Sequence, residues 1–90
     1  MNYVVIHHML RKDVTEEMMQ PHIEYLKDLF DKGKLIITGP FLDEKRGGMF
    51  VIDVESEEEL MDIVNNDPAI KNGISKSEVR PYKIVFRDNK

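Results

Sequence analysis

Three strand-forming runs of this chain are apolar on both of their sides, and that property constrains its fold more than any other. Side chains alternate across a strand, so a sheet with one solvated face reads apolar, polar, apolar, polar. Here Tyr3 and Val5 on one side are matched by Val4 and Ile6 on the other. Met49 and Val51 are matched by Phe50, Ile52 and Val54, and Leu35 and Ile37 by Ile36. A sheet built from these runs has to be covered twice.

Two helices supply the first cover. Thr15 is placed to cap a helix whose first turn carries Glu16 and Glu17, charges the helix dipole favours. From Met18 to Phe30 the apolar residues form two adjacent ridges, Met19, Ile23, Leu26 and Phe30 beside Met18, His22, Tyr25 and Leu29. Pro21 cannot donate to an interior helical bond, so the helix either kinks there or begins near Gln20 with Pro21 in its first turn. Gly33 is a stop signal. Ser56 followed by Glu59 is a capping box, and a second helix runs over 57–66. Asp67-Pro68 opens a short helical turn through Lys71 that Gly73 can stop. The strands are Tyr3 to Met9, Leu35 to Thr38 with Gly39-Pro40 as the turn that ends it, Met49 to Val54, and Ser77 to Phe86. Arg87 to Lys90 read as a frayed tail.

The order is βαββαβ, the ferredoxin-like pattern, in one α+β domain over residues 1–90: a four-stranded antiparallel sheet with both helices on one face. The other face is then an apolar patch larger than a monomer tolerates. Covering it with a second copy's sheet is the expected solution, a homodimer. A chain of 90 residues has further reason to associate, because small domains bury too little surface to be robust alone. Cysteine is absent, so disulfides and thiolate chemistry are excluded.

The net charge of −4 argues against nucleic acid, whose phosphates require a clustered basic surface. No apolar run approaches the roughly 18–20 residues of a membrane span. Met1-Asn2 leads directly into the first strand without a basic leader segment, and a cytoplasmic protein is the expectation.

His22 is the most informative polar residue. It lies at the edge of the apolar helix face beside Tyr25 and Leu29, where it is either a packed boundary residue or a general acid or base. Spacing alone favours the packed role. Asp67 before Pro68 is an N-cap, which accounts for the pair by itself. The cap role is compatible with a second one: a carboxylate held by backbone N–H groups can accept a bond from His22 and set its tautomer. His7 and His8 alternate to opposite faces, so one could line a pocket in the dimer interior and the other abut the helices, but a place near the strand end, only partly buried, is the expectation. They are a weak metal signal, since adjacent strand residues cannot face one ion and no neighbouring carboxylate completes a set. Gly47-Gly48 lacks the lysine and the following helix of a phosphate loop. No cofactor motif is present.

Tyr3-Val4-Val5-Ile6, His22 with Tyr25-Leu26, Gly39-Pro40, Asp67-Pro68 and Glu78-Val79-Arg80-Pro81-Tyr82 occur in this order along nearly the whole chain. Together they resemble the YciI-like (YCII-related) proteins. The resemblance implies a dimeric α+β barrel, and a cleft in which a helix histidine meets the aspartate of the Asp-Pro turn, positions that fall on His22 and Asp67. It also implies kinship with a dehydrochlorinase of a chlorinated trihydroxybenzene, and a barrel architecture shared with muconolactone isomerase. Many relatives carry an arginine three residues before the histidine, where this chain has Met19. Arg11, Lys71 and Arg80 are the candidates to supply that charge. The expected function is a cofactor-independent lyase or isomerase acting on a small cyclic or enolic molecule through a His22–Asp67 pair. The alternative is a non-catalytic dimeric barrel that binds a small ligand or partner. A dimeric-barrel monooxygenase or haem-handling protein is a more distant third.

Overall fold

A computed structural model describes residues 1–88. Asn89 and Lys90, the end of the expected tail, lie outside the described residues. The elements follow the expected order: β1 (Asn2–Met9), α1 (Glu16–Asp31), β2 (Leu35–Pro40), β3 (Gly48–Asp53), α2 (Glu57–Asn65), α3 (Pro68–Lys71) and β4 (Ser75–Pro81). The strands form one antiparallel sheet in the order β2-β3-β1-β4, which makes this a ferredoxin-like α+β fold.

One face of the sheet carries the core. Tyr3 and Val5 stand opposite Ile52 and Phe50, and these four pack with Leu35 against Leu26 and Leu29 of α1 and Leu60, Ile63 and Val64 of α2. Val5, Phe50 and Ile52 are fully enclosed, each stabilising the fold by about 1.5–3 kcal/mol relative to exposure. A second, smaller cluster holds Val14, Ala69 and Ile74 together, with Met9, Met18 and Met19 packed against it. That cluster fixes the short α3 turn beneath the start of α1. Tyr25 adds a clamp between the helices, its hydroxyl donating to the Ile63 carbonyl at 2.8 Å.

The structure differs from the sequence reading at several places. Helix α1 does not start at Gln20. It starts at Glu16, with Thr15 Oγ1 accepting from the Met18 N–H at 3.2 Å, and Pro21 sits inside it. Pro21 and Glu17 share the solvent side of α1, so the carbonyl of Glu17 that loses its partner can turn to water. Strand β2 continues through Gly39 and Pro40, which pair with Met49 and Gly48 instead of forming a turn. An edge strand tolerates that proline. A register shift at Ile36 places Leu35 opposite Ile52 and Ile37 opposite Val51, so Leu35 and Ile37 lie on opposite faces, not the same one. Finally, β4 begins at Ser75 and ends at Pro81, well short of Phe86. Its last ladder pair joins Pro81 to Tyr3, and one further cross-strand bond joins the Tyr82 N–H to the Asn2 carbonyl. Val85 and Phe86 are exposed beyond it.

On the open face, Val4, Ile6 and Met49 are half-buried and Ile37 is 60% exposed. His8 is exposed there and pairs with Glu78 at 2.9 Å. Among the described residues no helix is long and apolar enough to cross a membrane.

Candidate active site

Asp67 is the centre of the site, and the fold explains its position. It caps α3: Oδ1 accepts from the Ala69 N–H at 2.9 Å. Because Ala69 is pinned in the small cluster under α1, the carboxylate is carried to the inner side of that helix, where it is completely buried. There the same Oδ1 lies 2.7 Å from His22 Nδ1. The two residues singled out from the sequence therefore meet, 45 positions apart in the chain. An ionised carboxylate accepts only, so Nδ1 carries the hydrogen and Nε2 presents a lone pair when the ring is neutral. Nε2 has no hydrogen-bond partner among the described residues and is not one of the enclosed polar atoms.

His7 joins them. The expectation that His7 is partly buried and far from any carboxylate is wrong, because it is 6% exposed and its Nε2 lies 3.5 Å from Asp67 Oδ2. Its Nδ1 is 2.9 Å from Ser75 Oγ, and its ring centroid is 5.1 Å from that of His22. Burial holds the His7 pKa below its ordinary value. The charge of Asp67 opposes the shift, and the neighbouring histidines His22 and His8 reinforce it. His7 is thus a neutral imidazole near neutral pH. With the Ser75 hydroxyl donating to Nδ1, the remaining hydrogen sits on Nε2 and faces Asp67 Oδ2, a buried oxygen with no other partner among the described residues. The opposite tautomer would aim two lone pairs at each other. Strand alternation suggests the inward direction of His7; the partner it meets depends on the α3 turn, which lies 60 residues away by number.

His7, His22 and Asp67 each offer a ligand atom within 4.8 Å of the others, and two imidazoles with a carboxylate are a donor set that divalent metals accept. Here, however, Asp67 Oδ1 already accepts from the Ala69 N–H and lies against His22 Nδ1. A cation joining the imidazole and carboxylate would have to displace that hydrogen bond.

Both histidines line a cleft of about 710 Å³ between α1 and the β2–β3 hairpin. Ile23 and Phe30, exposed on one of the apolar ridges of α1, are walls of this cleft, as is Met19. Of the cations named from the sequence, none lines it. Arg11 pairs with Asp13 at 2.7 Å, Lys71 ends α3, and Arg80 pairs with Val4 on the open face of the sheet. The cleft has Lys27 and Arg46 instead. The arrangement is that of a sheltered, mostly apolar hollow with an oriented imidazole at its floor. It can take a proton from, or give one to, an enclosed molecule.

The chain matches the YCII-related domain family over residues 1–83. It is similar to the uncharacterized protein YjpA of Bacillus subtilis (strain 168), 33% identical over 70 residues, which is 78% of this chain and 81% of that protein. Its fold is similar to that of 5-chloro-2-hydroxyhydroquinone dehydrochlorinase (TftG) from Burkholderia phenoliruptrix AC1100, solved in complex with 2,5-dihydroxybenzoquinone. That comparison gives a TM-score of 0.75 and 24% identity over 92% of this chain and 94% of the other. By the extent of the first of these matches, this chain belongs to the YCII-related family.

Proposed function

We propose that this protein is a cofactor-independent enzyme of the lyase or isomerase type, moving a proton on a small cyclic or enolic molecule held in the cleft. The observation that carries the reading is the 2.7 Å approach of His22 Nδ1 to Asp67 Oδ1 beneath an apolar hollow. Asp67 holds the ring with its Nε2 lone pair free, and Nε2 acts as general base. The proton moves to Nε2, and the electron pair left behind either expels a leaving group or is reprotonated elsewhere on the ring. The imidazolium formed is stabilised by the adjacent carboxylate. The likeness to a dehydrochlorinase supports this class of chemistry without fixing the substrate. The reading includes a homodimer formed through the open sheet face, supported by the apolar residues Val4, Ile6, Ile37 and Met49 that lie there.

The test is turnover. Enolisable ring compounds, 5-chloro-2-hydroxyhydroquinone first, are followed for chloride release and for exchange of ring hydrogen with D2O. The wild-type chain should accelerate one of these reactions, and His22→Gln should lose about 10²–10⁴ of that acceleration. Equal rates from the two proteins would end the proposal. A second reading, a small-ligand-binding protein without catalysis, is favoured by the predominantly apolar cleft wall in which Met19 stands. It predicts saturable binding that His22→Gln leaves intact, with no acceleration by either protein.

A further inference from the structure

The β2–β3 hairpin is pressed against β1 at the floor of the cleft, which Gly47 makes possible, and Gly48 lets its two strands close on each other. A Cβ on Gly47 would meet the His7 carbonyl oxygen at 2.2 Å, and one on Gly48 would meet the Gly39 carbonyl oxygen at 2.8 Å. Both are backbone obstacles that a side chain cannot push aside. The residue immediately before this close approach is Arg46, itself at a positive φ of 57°. Its Nη2 donates to the Val14 carbonyl at 3.3 Å, which ties the guanidinium across the cleft mouth toward the start of α1. That single bond leaves most of its donors uncommitted. Lys27 stands on the α1 side of the same cleft, shared with Asp31 at 3.1 Å. The protein carries a net charge of −4, yet among the described residues no Asp or Glu lines this cleft. The buried Asp67 lies behind the two imidazoles, outside the lining.

We infer that Arg46 is the anion-recognising residue of the cleft, and that the molecule bound there is a small anion with an apolar body, a carboxylate or an enolate-type oxygen. A guanidinium offers paired donors to such a group, and the apolar walls formed by Ile23, Leu26 and Phe30 take the ring. This rests on the proposed acid–base reading for its location and deepens it by naming the class of substrate. It also gives Gly47 a reason: it lets the hairpin reach the floor where His7 and His22 lie.

Binding of benzoate and of the neutral benzyl alcohol to the full chain, followed by NMR shift titration, tests the inference. Wild-type protein should bind benzoate saturably and more tightly than benzyl alcohol, and the preference should weaken as salt rises. Arg46→Gln should weaken benzoate about tenfold and leave benzyl alcohol unchanged, with Arg46→Lys between the two. His22→Gln should still bind benzoate, so a failed acid–base reading and a failed anion site remain distinguishable. No saturable benzoate binding, equal affinity for the two probes, or unchanged benzoate affinity in Arg46→Gln would overturn it.

Discussion

At the scale of the residue, Asp67 does two things that respond differently to substitution. It caps α3 through the Ala69 N–H and it meets His22. Asp67→Asn keeps an oxygen for the cap and should cost about 1 kcal/mol in urea unfolding. Asp67→Ala removes the cap and the buried bond together and should cost about 2–4 kcal/mol. His7 supplies a pH dependence. Its pKa is lowered in the folded state by burial, so above about pH 6.5 both states hold it neutral. As pH falls below that, the unfolded chain takes up a proton that the folded chain resists. Stability is therefore lost from about 6.5 down to the folded-state pKa. The unfolding free energy of His7→Gln should fall less over this window than that of wild type, and equal slopes would remove the assignment. Local patterns, an amphipathic helix edge and an Asp-Pro cap, singled out His22 and Asp67 but favoured a packed residue and a plain cap; their meeting was implied only by the family resemblance. His7 was not legible in the sequence: its burial depends on α3 folding back under α1, which no local pattern announces.

At the scale of the element, the hairpin glycines are the sharpest test. Gly33 and Gly47 both have positive φ, 76° and 78°. Gly33 follows α1 in open space, its N–H and that of Lys34 closing the helix end on Phe30 and Leu29. Gly33→Ala should cost about 1 kcal/mol, the strain alone. Gly47→Ala adds the collision with the His7 carbonyl and should cost at least about 2 kcal/mol, measured by thermal unfolding. Similar costs for the two would mean that the hairpin is not seated on β1 as described. Element identity and order were readable from caps, stops and β-branched runs. The ends were not, because they are set by partners. Strand β4 stops at Pro81, opposite Tyr3, and β2 carries on through Gly39-Pro40 because β3 is still there to receive it. The bulge at Ile36, which sends Ile37 to the open face, likewise comes from the register with β3.

At the scale of the whole molecule, the doubly apolar strands account for both the core and the face left outside it. Val51 is 3% exposed although it lies on the open side, whereas its neighbour Ile37 is 60% exposed. The proposed dimer would cover that edge. Sedimentation equilibrium should report twice the chain mass for wild type, and Ile37→Glu should shift it toward the monomer by placing a charge in the interface. A monomeric wild-type protein would confine the cleft to one chain and remove the dimer from the account. The fold class followed from pattern alone. The cleft did not, since its walls come from α1, β2, β3 and the hairpin, and Ile23 and Phe30 read in the sequence only as members of an apolar helix ridge.

The central claim is that Asp67 fixes the His22 imidazole with its hydrogen on Nδ1 and its lone pair on Nε2. Long-range nitrogen–proton correlation NMR reads the tautomer of each ring directly. With the ring neutral, wild-type His22 should show the Nδ1–H form and a protected ring proton, and Asp67→Asn should lose that preference. A wild-type His22 found in the Nε2–H form, or one indifferent to Asp67→Asn, would contradict the account.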